Sequence, residues 1–181
     1  MPATESESRS EARWQDAYEE HRVAVAAYVD TAERLSDDAW NQPWAPGKWT
    51  PAEVTEHLCR VYEVILAELA TGQGMQRRLG RWRERLTRWI VLPHILSHGT
   101  FPLRVPAPRE VRPTEVRGGR AELLRQFRAL SERLEGELDR ARLTRSFVLT
   151  HAFFGPMPPL KMVRLGAIHV EHHRRQIAPK R

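Results

Sequence analysis

Residues 50–74 read TPAEVTEHLCRVYEVILAELATGQG, a stretch that specifies a helix together with both of its ends. Thr50 offers a side-chain oxygen as N-cap, Pro51 suits the first helical position, and Glu53 stands where its carboxylate can reach back to the cap, which makes a capping box. Val54, His57, Leu58, Val61, Ile65 and Leu69 then recur at three- and four-residue intervals on one face until about Ala70, where TGQG ends the run. An amphipathic helix of this length must bury that face against other helices. His57 lies on the buried side.

Outward from this helix, the same spacing holds almost everywhere. Trp14, Tyr18, His21, Val25, Tyr28, Ala32 and Leu35 mark a first helix from about Ser10 to Leu35, preceded by a polar tail, residues 1–9, expected to be disordered. SDDAWNQPWAPGKWT separates it from the helix above, with Pro43, Pro46 and Gly47 forcing turns and three tryptophans available to cover one end of a core. A third helical stretch, about Met75 to Leu92, should be interrupted by Pro93. From Gly99 to Gly119, prolines 102, 106, 108 and 113 forbid regular helix and predict a long loop able to cover a site. A fourth helix follows over 120–142, seamed by Leu123, Phe127, Leu130, Leu134 and Leu138, and a fifth from Pro158 or Pro159 to Ile177. No strand alternation competes. The expected fold is all-α, one bundle of four long helices over residues 10–181 with an additional short helix and a Pro-rich loop.

The 181 residues carry a formal charge of +6. The basic residues are nearly all arginines, interleaved with glutamates as in RWRERLTR and RALSERLEGELDRAR, which predicts solvated helix faces and no specific nucleic-acid partner. No apolar run is long enough to cross a bilayer, so no membrane partner is expected. A single cysteine, Cys59, and a polar N-terminus without an apolar leader core place the expected compartment in the cytoplasm. Trp82, Trp89 and the proline loop offer apolar surface beyond the core seams and predict a homodimer.

The closing segment AIHVEHHRRQI, residues 167–177, supplies the chemistry. His169 and His173 are separated by four residues, about 40° apart on the helix and on its inward side, a spacing that lets both imidazoles bind one metal ion. His57 is the natural third ligand from a facing helix. Three buried imidazoles need something to satisfy their nitrogens, and a divalent cation does so. His94 and His98 form a rival pair at the same spacing, confined between Pro93 and Gly99. His172 lies nearer the helix flank and suits a supporting role behind the ligands, as does Gln176, while His151 sits before the last helix, where it can hydrogen-bond or face a substrate.

WTPAEVTEHLCRVYEVI and HAFFGPMPPLKMVRLGAIHVEHHRRQI together resemble the DinB-like superfamily. The resemblance implies a four-helix bundle of up-down-down-up type in which a histidine of the second helix and an HxxxH pair of the last hold a divalent metal, zinc or nickel. Those positions fall on His57, His169 and His173, with Gln176 behind. Many members have glycine where this chain has Arg175.

Three histidines leave an ion with an open position, the arrangement of catalytic sites. Water or a small thiol can occupy it. A hydrolase wants a carboxylate beside the metal, yet Glu56 and Glu171 should point away, Glu53 is taken by the capping box and Glu68 lies three turns off. Cys59 points ~200° from His57 and cannot share its site. The resemblance extends to thiol S-transferases, so the expectation is transfer of a low-molecular-weight thiol cosubstrate to an electrophilic small molecule. A hydrolase, or a non-catalytic binding protein tied together by its metal, is the alternative.

Overall fold

The computed structural model describes residues 5–102, 105–144 and 147–178. Four long helices make the bundle: α1 (Glu5–Glu33), α3 (Pro51–Thr71), α6 (Arg120–Thr144) and α7 (Pro159–Ile177). Short α2 (Asp37–Asn41) caps one end. Contacts along the helices fix their directions. Glu11–Arg142, Arg22–Glu135 and Glu33–Arg128 run α1 against α6 in opposite senses. Cys59 facing Leu123 and Glu63 facing Gln126 run α3 alongside α6 in the same sense. With Tyr28–Thr55 and His21–Tyr62 joining α1 to α3 antiparallel, and α7 beginning beside the middle of α1, the order is up, down, down, up.

The α3 helix forms as its sequence dictates. The Thr50 backbone N–H donates to Glu53 Oε2 at 2.7 Å, and the Glu53 N–H donates to Thr50 Oγ1 at 3.1 Å. Gly72, at φ 75°, closes the other end in the left-handed region, its N–H donating to the Glu68 carbonyl. Tyr28, Tyr62, Phe127, Leu58, Leu123 and Leu138 fill the interior, with Tyr62 stacked on Phe127.

Four expectations need correction. Helix α1 starts at Glu5, so residues 5–9 of the expected tail are helical, exposed and charged; residues 1–4 lie outside the described residues. The third helical stretch starts late: residues 75–80 are irregular, the Arg78 N–H donating to the Ala152 carbonyl, and α4 (Arg81–Leu86) begins only after Gly80. Pro93 does not interrupt the helix. A π turn (Thr87–Val91) leads directly into α5 (Leu92–His98), so Pro93 sits within continuous helical backbone.

The fourth correction is a hairpin where no strand was expected, β1 (Leu149–His151) antiparallel to β2 (Gly155–Met157). At three residues per strand, alternation has no room to show. Gly155 turns the chain at φ 65° with the Glu84 carboxylate packed against its Cα, a place no side chain can share. The α4 segment clamps the hairpin: Arg77 holds Glu84 through two bonds of 2.6 and 2.8 Å, Thr87 donates to the Phe153 carbonyl, and Arg88 to that of Pro156. The described residues of the 99–119 loop are irregular as expected, apart from one 3₁₀ turn (Arg109–Val111) lying against α3.

Candidate metal centre

His57, from the second turn of α3, meets His169 and His173 from the second half of α7. Each of the three offers a ligand atom within 4.8 Å of the others. His169 Nε2 lies 3.4 Å from His57 Nε2 and 3.0 Å from His173 Nε2. Second partners on the far side of the rings fix which nitrogens converge. His57 Nδ1–H donates to the Val111 carbonyl at 2.7 Å, and His173 Nδ1–H donates to Gln176 Oε1 at 2.8 Å. A carbonyl oxygen can only accept, so both rings carry their proton at Nδ1 and aim a bare Nε2 lone pair at the common point. Gln176 is anchored in turn by its own amide, which donates to His172 Nε2 at 2.8 Å.

Burial holds these imidazoles neutral. Desolvation pushes His57 down to about 4, against the opposing pull of its bond to Val111. His169 and His173 lie well below the ordinary histidine value, first through desolvation and then through the mutual repulsion of the cluster. Three neutral imidazoles whose ligand atoms converge in one place fit a divalent cation in both number and donor type. No carboxylate or thiolate joins the group among the described residues. Trp49 packs on His57 and Phe101 on His169 and His172, so the rings are boxed by aromatic walls.

The cluster forms part of the wall of a cavity of about 1140 Å³, whose apolar lining includes Val54, Ile65, Leu138, Leu149, Met162 and Phe154. The proline loop contributes Phe101, Pro102 and 105–108 to the same wall. His151, on β1, also faces the cavity, although its place before the last helix made either role open in sequence. Its Nδ1 accepts from the Phe153 and Phe154 N–H groups at 3.2 and 3.3 Å, so its proton sits on Nε2. Desolvation holds it down to about 4.

The rival pair takes no part. His94 and His98 are exposed and stack on each other with centroids 4.2 Å apart. Cys59 is buried beside the Leu123 carbonyl, and desolvation pushes its thiol up to about 12. The carboxylates are occupied elsewhere, as expected: Glu56 under Arg60 and Arg117, Glu171 with Arg174 and Arg175, Glu53 in the capping box, and Glu68 accepting from the Thr150 N–H. Arg175 therefore stays at the cavity rim, clear of the histidines' own bonds.

Sequence reasoning missed two parts of the site. The Val111 carbonyl comes from a loop 54 residues from His57, and no side chain marks it. The second is a buried chain across three helices: Glu135 accepts from His21 Nδ1 at 3.0 Å, while the Tyr62 hydroxyl lies 2.6 Å from His21 Nε2, and all three residues line the cavity. His21 on the apolar stripe of α1 was its only visible signal.

A helical bundle carrying three inward histidines at the wall of an apolar cavity is the class that this fold and site define. The family model of the DinB superfamily matches residues 17–177, and the chain belongs to that superfamily. Among solved structures, the crystal structure of TT2238, a four-helix bundle protein, is similar at 22% identity, covering 90% of this chain and 95% of that one, with a TM-score of 0.49. No curated protein matches the chain.

Proposed function

We propose that this protein is a metal-dependent enzyme that transfers a low-molecular-weight thiol to an electrophilic small molecule, with His57, His169 and His173 holding one zinc or nickel ion. The observation that carries this reading is the convergence of the His57, His169 and His173 ligand atoms on the wall of an apolar cavity where, among the described residues, no carboxylate joins them. A bound divalent ion supplies a Lewis acid with an open position, which favours the thiolate form of a small thiol.

The protein's own residues supply the rest. Val111 and Gln176 fix the tautomers of His57 and His173, so the lone pairs are set before anything binds. The apolar lining excludes water and selects an acceptor with an apolar body. His151, neutral at pH 7, has its Nε2–H as a donor for negative charge that develops on the acceptor. Among the described residues no carboxylate joins the three histidines to serve as a general base for water, and this disfavours the hydrolase alternative.

The test uses zinc- and nickel-loaded protein with L-cysteine or another bacterial small thiol and an apolar α,β-unsaturated ketone as acceptor. Thiol consumption above the spontaneous rate, lost in His57→Ala, is expected. Hydrolysis of esters or amides by the same preparation, with no acceleration of thiol consumption, would overturn the assignment.

A further inference from the structure

Between residues 81 and 98 the chain reads RWRERLTRWIVLPHILSH, and the helix it forms is amphipathic twice over. One face, with Thr87, Val91 and Ile95, closes the cavity. The opposite face carries Trp82, Leu86, Trp89 and Ile90, exposed by 66, 50, 77 and 62 %. Four large apolar side chains on successive turns of one helix present roughly 500 Å² to solvent, a patch of the size that marks an interaction surface.

Charge says what covers it. Arg81, Arg83 and Arg85 are exposed beside the two tryptophans, and among the described residues none of them enters an ion pair, although arginines on every long helix do. Glu84 is the only carboxylate in the stretch. It is buried and bound to Arg77, so the outer face has no acid to offset the arginines. Arg83 lies over the Trp82 ring, with its guanidinium 5.4 Å from the centroid. Aromatic and aliphatic side chains on one line with unpaired arginines on its flanks fit the boundary of an anionic bilayer, where rings enter the headgroup layer and guanidinium groups meet phosphates. A second copy of the chain fits poorly. In a symmetric pair the same patch faces itself, and the arginines of both copies would gather around one apolar contact with no exposed carboxylate of this stretch among them.

We infer that this face docks the protein peripherally on anionic membrane surfaces. No helix among the described residues is long and apolar enough to cross a membrane, so the contact is with one leaflet. The histidine cluster takes no part in it, and neither metal nor thiol is needed to test it.

The full-length protein is sedimented with phosphatidylcholine vesicles that contain, or lack, about 30 % phosphatidylglycerol, at about 0.1 M salt. Binding to the anionic vesicles with a blue shift of tryptophan emission is expected. The Trp82→Ala/Trp89→Ala variant, altered only at exposed side chains, should lose the binding while keeping its helical circular dichroism. Replacing Arg81, Arg83 and Arg85 with glutamine should weaken binding roughly 100-fold, at about five-fold for each arginine, and abolish the preference for anionic lipid. Wild-type protein left in the supernatant of the anionic vesicles overturns the inference, as does equal binding by the tryptophan variant. A wild-type dimer that the tryptophan variant converts to monomer assigns the face to a second copy and also overturns it.

Discussion

Gln176→Leu tests how the site is built without touching a ligand. His173 Nδ1–H donates to Gln176 Oε1 at 2.8 Å, and that bond points the Nε2 lone pair at His169, 3.0 Å away. Leucine keeps the volume and the helix propensity but removes the acceptor. The imidazole is then free to rotate or to carry its proton on Nε2, and the Nδ1–H is left buried without its partner. Loss of such an outer hydrogen bond weakens metal affinity by roughly 10–100-fold, about 1.4–2.7 kcal/mol. Competition with a chromophoric chelator for zinc reads this directly. Gln176→Glu restores an acceptor and strengthens it, so its affinity should match or exceed that of the wild type. Removing His173 itself should cost far more than removing its partner. Equal zinc affinity in Gln176→Leu and wild type would refute the reasoning, because the far-side bond would then have no hold on the ligand.

Acid should destabilise the metal-free protein through its buried histidines. Burial holds the His57, His169 and His173 pKa values below the ordinary 6.5 in the folded state, so from about pH 6.5 down to about 4 the unfolded chain binds more protons than the folded one. Stability should be full above that window and fall through it, with His57 alone accounting for about 3 kcal/mol; urea midpoints at pH 7 and 4.5 that coincide would contradict this. Tyr62→Phe leaves His21 Nε2 buried without its 2.6 Å partner and should cost about 1–3 kcal/mol in chemical denaturation, while zinc affinity stays unchanged. Gly155→Val forces a β-branched residue to positive φ against the Glu84 carboxylate and should cost about 3 kcal/mol or more, seen as a lower thermal midpoint.

The legible parts of the molecule were those written in local chemistry. The capping box at Thr50 and Glu53 and the apolar seams of α3, α6 and α7 placed those helices within a residue or two, because each signal lies within one or two turns of chain. The histidine cluster was legible because a four-residue spacing on α7 and an inward His57 on α3 leave few ways for a bundle to bring them together. What stayed hidden depends on contacts distant in sequence. Nothing around Pro93 announces the π turn at Thr87–Val91. The Val111 carbonyl is a backbone atom, and its partnership with His57 is decided by how the proline loop crosses α3. Glu135 and Tyr62 each read as ordinary members of their helix faces until α1 sets His21 between them.

Metal stoichiometry of the untagged protein tests the central claim most directly. Protein stripped with chelator, given excess zinc or nickel and desalted should hold one equivalent by elemental analysis, and His57→Ala, His169→Ala and His173→Ala should each hold less than about a tenth, with His94→Ala and His98→Ala at the wild-type level. Wild-type protein that retains no metal, or a His57→Ala variant that retains a full equivalent, would contradict the three-histidine centre.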